Sequence, residues 1–228
     1  MKTEATGQVG PSFLADGTSN QPFRQGRLGE QIVQQLHGRF YEQVSRGNVY
    51  SIGCMPTALA AATIALDATC QPIVGVWNPP TSGVNVVILQ AALVDFINNV
   101  TSVALGGFAW ASSYGVTTLS AGLSPFNRKT LVSTGSLVKA FSLSTASLLT
   151  GLVAAQNLVR FEPAEFNTAS GLLTTSVAAA TPTPSVSGVQ NFDGSLIVPP
   201  SGVLALLNSI SVTTHTVSAR LMWEEVPI

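Results

Sequence analysis

The run Ile210-Ser211-Val212-Thr213-Thr214-His215-Thr216-Val217-Ser218-Ala219-Arg220-Leu221-Met222-Trp223-Glu224-Glu225-Val226 decides the fold. It alternates almost throughout. Val217, Ala219, Leu221 and Trp223 fall on one face, and Ser218, Arg220 and Met222 on the other. Side chains of a strand point to opposite faces in turn, so this is a long β-strand with one face on a core. Working back, Val203 to Leu207 is a short apolar run read as a strand. Ser195-Leu196-Ile197-Val198 is another, closed by Pro199-Pro200-Ser201-Gly202.

The same grammar continues upstream. Ile73-Val74-Gly75-Val76-Trp77 reads as a strand that Asn78-Pro79-Pro80-Thr81-Ser82-Gly83 stops. Val84 to Phe96 is the next strand, long enough to need a bulge or bend. Val100 to Trp110 follows, with a kink expected at Gly106-Gly107. Residues 133 to 156 carry Leu137, Phe141, Leu148, Leu152 and Val153 at partly helical spacing, but their Ser and Thr content favours loop plus strand. Ala178 to Val189, rich in Thr, Pro, Ser and Ala, reads as a surface loop. Many short strands separated by turn signals predict an all-β chain, a β-sandwich or jelly-roll-like domain. No fixed-period repeat is present.

The N-terminal part differs. Gly7, Gly10, Pro11, Gly17, Pro22 and Gly26 punctuate residues 1 to 28, which read as an extended arm. Yet the arm holds Phe13, Leu14 and Phe23, large apolar groups that a solvated linker does not need. Charge then concentrates in Arg24, Arg27, Glu30, Arg39, Glu42 and Arg46, interleaved with Phe40, Tyr41 and Tyr50. Gln31 to Leu36 suggests a short strand, and Arg39 to Arg46 a helical turn ended by Gly47-Asn48. The division expected is an arm and assembly segment over 1–50 and a β-sandwich over 51–228. Arg and Tyr are enriched at interface hot spots. The expected contact residues are therefore Phe13, Phe23, Arg24, Arg27, Arg39, Phe40, Tyr41, Arg46 and Tyr50. The competing reading pairs these arginines within the fold, with Glu30 and Glu42.

Composition narrows the function. Charged residues make up 9 % of the 228-residue chain and hydrophobic ones 46 %, against roughly 25 % charged in an average soluble protein. Such a chain can build a core, and it needs its surface covered by uncharged polar groups or by permanent contacts with other chains, where charge is depleted. A net charge of −1 offers no basic field for a nucleic acid. The polar start Met1-Lys2-Thr3-Glu4 lacks the apolar core of a secretory signal, and the apolar stretches are too short or too broken to span a membrane. Synthesis in a cytoplasm is expected. Cys54 and Cys70 fit no zinc spacing; the simpler reading is two small buried side chains, the other a disulfide.

The search for chemistry returns little. His37 and His215 stand alone, so neither a metal nor another cofactor is expected. Glu224 and Glu225 are neighbours on a strand and would face opposite sides, which is wrong for a paired acid and base. Glu162 and Glu165 flank Pro163 in a loop. Ser136-Leu137-Val138-Lys139 matches the S-x-x-K nucleophile motif, but its partner motifs S-D-N and K-T-G are absent. Replacing Ser136, His37 and nearby carboxylates should therefore cost no function. Trp77, Trp110 and Trp223 end apolar strands, where a core role is commoner than a sugar platform. No enzyme is expected.

Three segments carry a resemblance. They are Gly26-Arg27-Leu28-Gly29-Glu30 through Ser45-Arg46-Gly47-Asn48-Val49-Tyr50; Val76-Trp77-Asn78-Pro79-Pro80-Thr81-Ser82-Gly83; and Leu196-Ile197-Val198-Pro199-Pro200-Ser201-Gly202 with the strand ending Trp223-Glu224-Glu225-Val226-Pro227. In style and order these resemble the capsid cement, or decoration, proteins of tailed bacteriophages, including cyanophages. The resemblance implies a β-rich homotrimer on the outer capsid surface of a virion, bound to the major capsid protein, with no active-site residue to carry over. The alternative is a head-fibre or tail component that binds a host surface glycan through exposed aromatics around Trp110 and Tyr114.

Overall fold

The computed structural model describes residues 7–8, 23–24, 38–58, 72–97, 108–116, 122–142, 160–164, 167–173, 183–208 and 215–228. Contacts divide the chain into a first unit, Met1–Glu42, and a second, Gln43–Ile228. In the first unit, β1 (Gly7–Gln8) and β2 (Phe23–Arg24) pair in parallel. The helix α1 (Tyr41–Arg46) ends at Gly47, whose positive φ of 84° lets the chain leave the helix without a Cβ clash.

The second unit is an all-β sandwich of two antiparallel sheets. The first sheet is built from β3 (Val49–Ala58), β5 (Val84–Ile97), β7 (Phe126–Asn127), β10 (Asn167–Leu173), β11 (Thr183–Val198) and β13 (His215–Pro227), in the order β10-β11-β5-β13-β3-β7. The second is built from β4 (Val74–Trp77), β6 (Phe108–Ser113), β8 (Lys139–Ser142), β9 (Arg160–Pro163) and β12 (Val203–Asn208), in the order β8-β4-β12-β6-β9. Their inner faces share one core. Ile88, Leu93, Leu221 and Trp223 of the first sheet meet Val74, Val76, Leu204 and Leu206 of the second.

The deciding strand behaves as its alternation requires. In β13, Val217, Ala219, Leu221 and Trp223 are buried in the core, while Ser218 and Arg220 are half-buried on the other face. Met222 shares that outer face but is itself buried. The expected irregularity in β5 is at Leu89. Against β13 the register passes from Gln90 opposite Met222 to Ile88 opposite Trp223, so Leu89 is an extra residue. A one-residue insertion moves the following side chains to the opposite face. Core positions accordingly run Val84, Val86 and Ile88 before the bulge and Ala91 and Leu93 after it.

The second sheet is buried on both faces at its centre. That is why Val203 to Leu207 reads as a continuous apolar run instead of an alternating one. Gly75 in β4 lies opposite Phe141 in β8, and the ring covers it: a Cβ there would stand 2.1 Å from Phe141 Cε2. The two Pro-Pro turns noted in the sequence lie side by side. Asn78 is fully buried, its Nδ2 donating to the carbonyls of Val84 (2.8 Å) and Val198 (3.0 Å). Its backbone N–H donates to Gly202 O and its carbonyl accepts from Ser201 N–H.

One expectation is corrected. Residues 183 to 189 form the first half of β11 and pair with both β10 and β5, so the Thr- and Pro-rich segment is strand there and not loop. Here its Val and Thr content and the open partners on either side outweigh the turn residues. Asp193-Gly194, both at positive φ, lie inside the register shift between Asn191 and Leu196. Val49 and Tyr50 belong to β3, so the sandwich begins before residue 51. The strand expected at Gln31 to Leu36, the Gly106-Gly107 kink, Cys70 and the Leu148 to Val153 segment lie outside the described residues.

Candidate assembly surface

The expected contact residues fall into four groups. Phe13 and Arg27 lie outside the described residues. Phe23 and Arg24 form β2. Arg39 is exposed, with its guanidinium carbon 5.5 Å from the centroid of the half-buried Phe40 ring; Tyr41 is exposed at the start of α1. Arg46, also exposed, ends α1 and lies near enough to Glu224 to favour that carboxylate's charged form. Tyr50 is a core residue at 6 % exposure. Burial pushes its phenol up, with the Glu225 charge adding to the effect. It supports the surface from beneath.

What the sandwich shows to solvent is a loop that residue-by-residue reading did not single out. It follows β7 and runs from Arg128 to Val138. Buried Asn127 organises its first turn. Asn127 Nδ2 donates to Gly47 O (2.7 Å), and Asn127 Oδ1 accepts from the N–H of Lys129 (2.9 Å) and Thr130 (3.2 Å). The backbone closes the turn through Leu131 N–H to Asn127 O (3.0 Å) and Asn127 N–H to Val132 O (2.9 Å). Lys129 Nζ donates to Ser45 O, which ties the turn to the end of α1.

A buried carboxylate holds the other end. Glu225, 6 % exposed, accepts from Ser136 Oγ at 2.6 Å and from Leu137 N–H at 2.9 Å. Trp223 Nε1 donates to the same Oε1 at 3.4 Å. Glu224, on the opposite face of β13, is half-buried, and burial raises its carboxyl above the ordinary range. The S-x-x-K match thus has a structural meaning. Ser136 opens no helix, Lys139 is exposed, and the hydroxyl that would be a nucleophile fastens a loop.

Pinned at both ends, the loop holds apolar side chains in water. Leu131 is 64 % exposed and Leu137 55 %, with Val132 also exposed; Phe126 of β7 is exposed at its base. Leu131 moreover adopts φ 60°, a left-handed conformation that costs a residue with a Cβ about 1–2 kcal/mol.

Beside the loop, a groove of 530 Å³ is lined by Ile52, Gly53, Leu123, Phe126, Ser133 and Arg220 among others. Arg220 Nη2 donates to Gln90 Oε1 (2.7 Å), and Gln90 Nε2 donates to Asn191 Oδ1 (2.9 Å), a polar chain across β13, β5 and β11. Burial, and then Arg128, pulls the Arg220 guanidinium below its ordinary value.

The aromatic residues weighed as a glycan platform are mostly inside. Trp77, Trp110 and Trp223 are all buried, and Trp110 donates to Gln190 Oε1 (2.8 Å) while packing edge-on to Phe192. The core role expected for the three tryptophans holds, and of the pair the glycan alternative needs, Tyr114 alone is open to solvent. Cys54 is a buried thiol that accepts from Ala219 N–H (3.2 Å), and burial raises it. Among the described residues no group of three or more His, Cys, Asp or Glu is placed to hold a metal, and no helix is long and apolar enough to cross a membrane. No protein-family model matches the chain, nor does any curated protein or solved structure.

Proposed function

We propose that the chain is a structural virion protein that decorates a bacteriophage capsid and cements it by bridging capsomers as a homotrimer. The observation that carries this reading is the strained, doubly anchored loop holding Leu131, Val132 and Leu137 in water on a chain that is only 9 % charged. Exposed apolar groups on a pre-formed support suit a permanent protein contact. The capsid as the partner rests on the resemblance of the three segments. Cementing needs no chemistry. A trimer that touches several capsomers at once binds with high effective concentration, and it stabilises the assembled shell by binding that state alone. The host-glycan alternative is weakened by the burial of Trp110.

The test is to prepare capsids without this chain and measure the temperature at which they open, before and after adding the purified protein. The reading expects a lower opening temperature without it and recovery on addition. Equal temperatures in both states would refute cementing.

A further inference from the structure

Arg220 is a cation without an anion. In β13 it stands between Gly53 of β3 and Ala92 of β5, its cross-strand partners. Paired residues share a face, and neither Gly53 nor Ala92 has a polar side-chain atom to give it. Of the five N–H groups of a guanidinium, one on Nη2 is donated to Gln90 Oε1, and Nε is enclosed with no acceptor among the described residues. The charge felt at Arg220 is of its own sign: it comes from Arg128, exposed just after β7. Among the described residues no carboxylate pairs with either arginine. A half-buried charge is ordinarily paired.

Arg220 lines the 530 Å³ groove, with Ile52, Leu123 and Phe126 as apolar lining and the exposed Ser124 and Ser133 beside them. Ser133 lies in the same loop as Leu131 and Val132, so groove and loop are continuous. The lining selects its occupant. A planar carboxylate matches the guanidinium fork, and an apolar body matches Ile52, Leu123 and Phe126. A phosphate group would bring about two charges and their hydration against those side chains. A second copy of this chain is a poor source of the carboxylate. Glu225 is held by Ser136 and Leu137, Glu224 is half-buried near Arg46, and Glu42 and Asp193 have partners of their own.

We propose that the groove seats an Asp or Glu side chain of the capsid protein, flanked by apolar residues, with Arg220 taking the carboxylate and Arg128 reinforcing it. This deepens the cementing reading and rests on it for the identity of the partner; the preference for a carboxylate rests on the groove alone.

The experiment titrates the full chain with acetyl-leucyl-glutamyl-leucinamide and with its neutral glutaminyl counterpart, following the amide signals of Gly53, Ser124 and Ser133 by NMR. The acidic peptide is expected to shift all three saturably and to bind about tenfold more tightly than the neutral one, the scale of one charge-assisted hydrogen bond. Arg220→Gln should abolish that preference. Arg128→Gln, at an exposed position, should narrow it and leave the circular dichroism unchanged. Inorganic phosphate should bind more weakly than the acidic peptide. Equal binding of the two peptides, or a preference left intact by Arg128→Gln and by a folded Arg220→Gln, would overturn the site. Phosphate binding tighter than the acidic peptide would overturn the carboxylate assignment. Capsids prepared without this chain then test the source: both variants should decorate them about tenfold more weakly than the parent. A peptide preference with undiminished decoration would overturn the capsid protein as the source. A parent that does not decorate capsids would refute the cementing reading, while the peptide titration still judges the groove.

Discussion

Ser136 Oγ donates to Glu225 Oε1 across 2.6 Å, joining residues 89 positions apart and fastening an exposed loop to the strand at the centre of the first sheet. The same carboxylate takes the Leu137 N–H and the Trp223 indole N–H. Removing it strands these donors. Glu225→Ala should therefore destabilise the sandwich by about 1–3 kcal/mol, the cost of leaving buried donors unsatisfied. Glu225→Gln, which keeps one acceptor, should cost less. Ser136→Ala should cost least, since Leu137 N–H keeps its partner. Urea unfolding of the three variants checks the order.

Asn127 governs the other end of the loop. Asn127→Ala removes the acceptor of the Lys129 and Thr130 N–H groups and the donor to Gly47 O. Faster amide exchange at Lys129 and Thr130 is expected, with a stability loss of about 1–2 kcal/mol because the backbone closure survives. Unchanged exchange at both amides would show that the side chain does not organise the turn.

Gly75→Ala probes the second sheet. The new Cβ would lie 2.1 Å from the buried Phe141 ring and 2.6 Å from Leu204 O, and the second of these is backbone. Overpacking of this kind costs about 1–3 kcal/mol, occasionally more. A clear drop in melting temperature is expected. The double variant Gly75→Ala with Phe141→Ala should recover little, since the carbonyl clash remains.

Glu224 carries a sign that can be tested. Burial raises its folded pKa and Arg46 opposes this only in part. The folded state then holds a proton that the unfolded state has released, so stability falls as pH rises from the ordinary carboxylate range to the raised value. Glu224→Gln removes that loss. Urea midpoints measured against pH should show the variant gaining on the parent through the window just above 4.5, the ordinary value. A difference that does not change with pH would contradict the assignment.

The sheets were legible because β13 alternates and because the Pro-Pro turns mark strand ends. The bulge in β5 was legible from length alone, although only the structure assigns it to Leu89. Residues 183 to 189 were not legible. Thr, Ser and Pro are turn formers in isolation, and only the partners β10 and β5 make a strand of them. The loop tip was not legible either, since Leu131 and Val132 look like any apolar pair until the φ of Leu131 and its exposure are known. Asn127-Arg128-Lys129-Thr130 was the available signal: an Asn whose side chain takes N–H groups two and three residues on is a common turn opener. Glu225 was read correctly as facing away from Glu224. That it binds Ser136 depends on a pairing across 89 residues that no local pattern announces.

The proposed coating of a capsid fixes a copy number that can be counted. Purified virions should be separated on a gel and this band counted against the major capsid protein. A ratio matching trimers at all local threefold positions of the shell is expected. A handful of copies per particle, or no band at all, would contradict it.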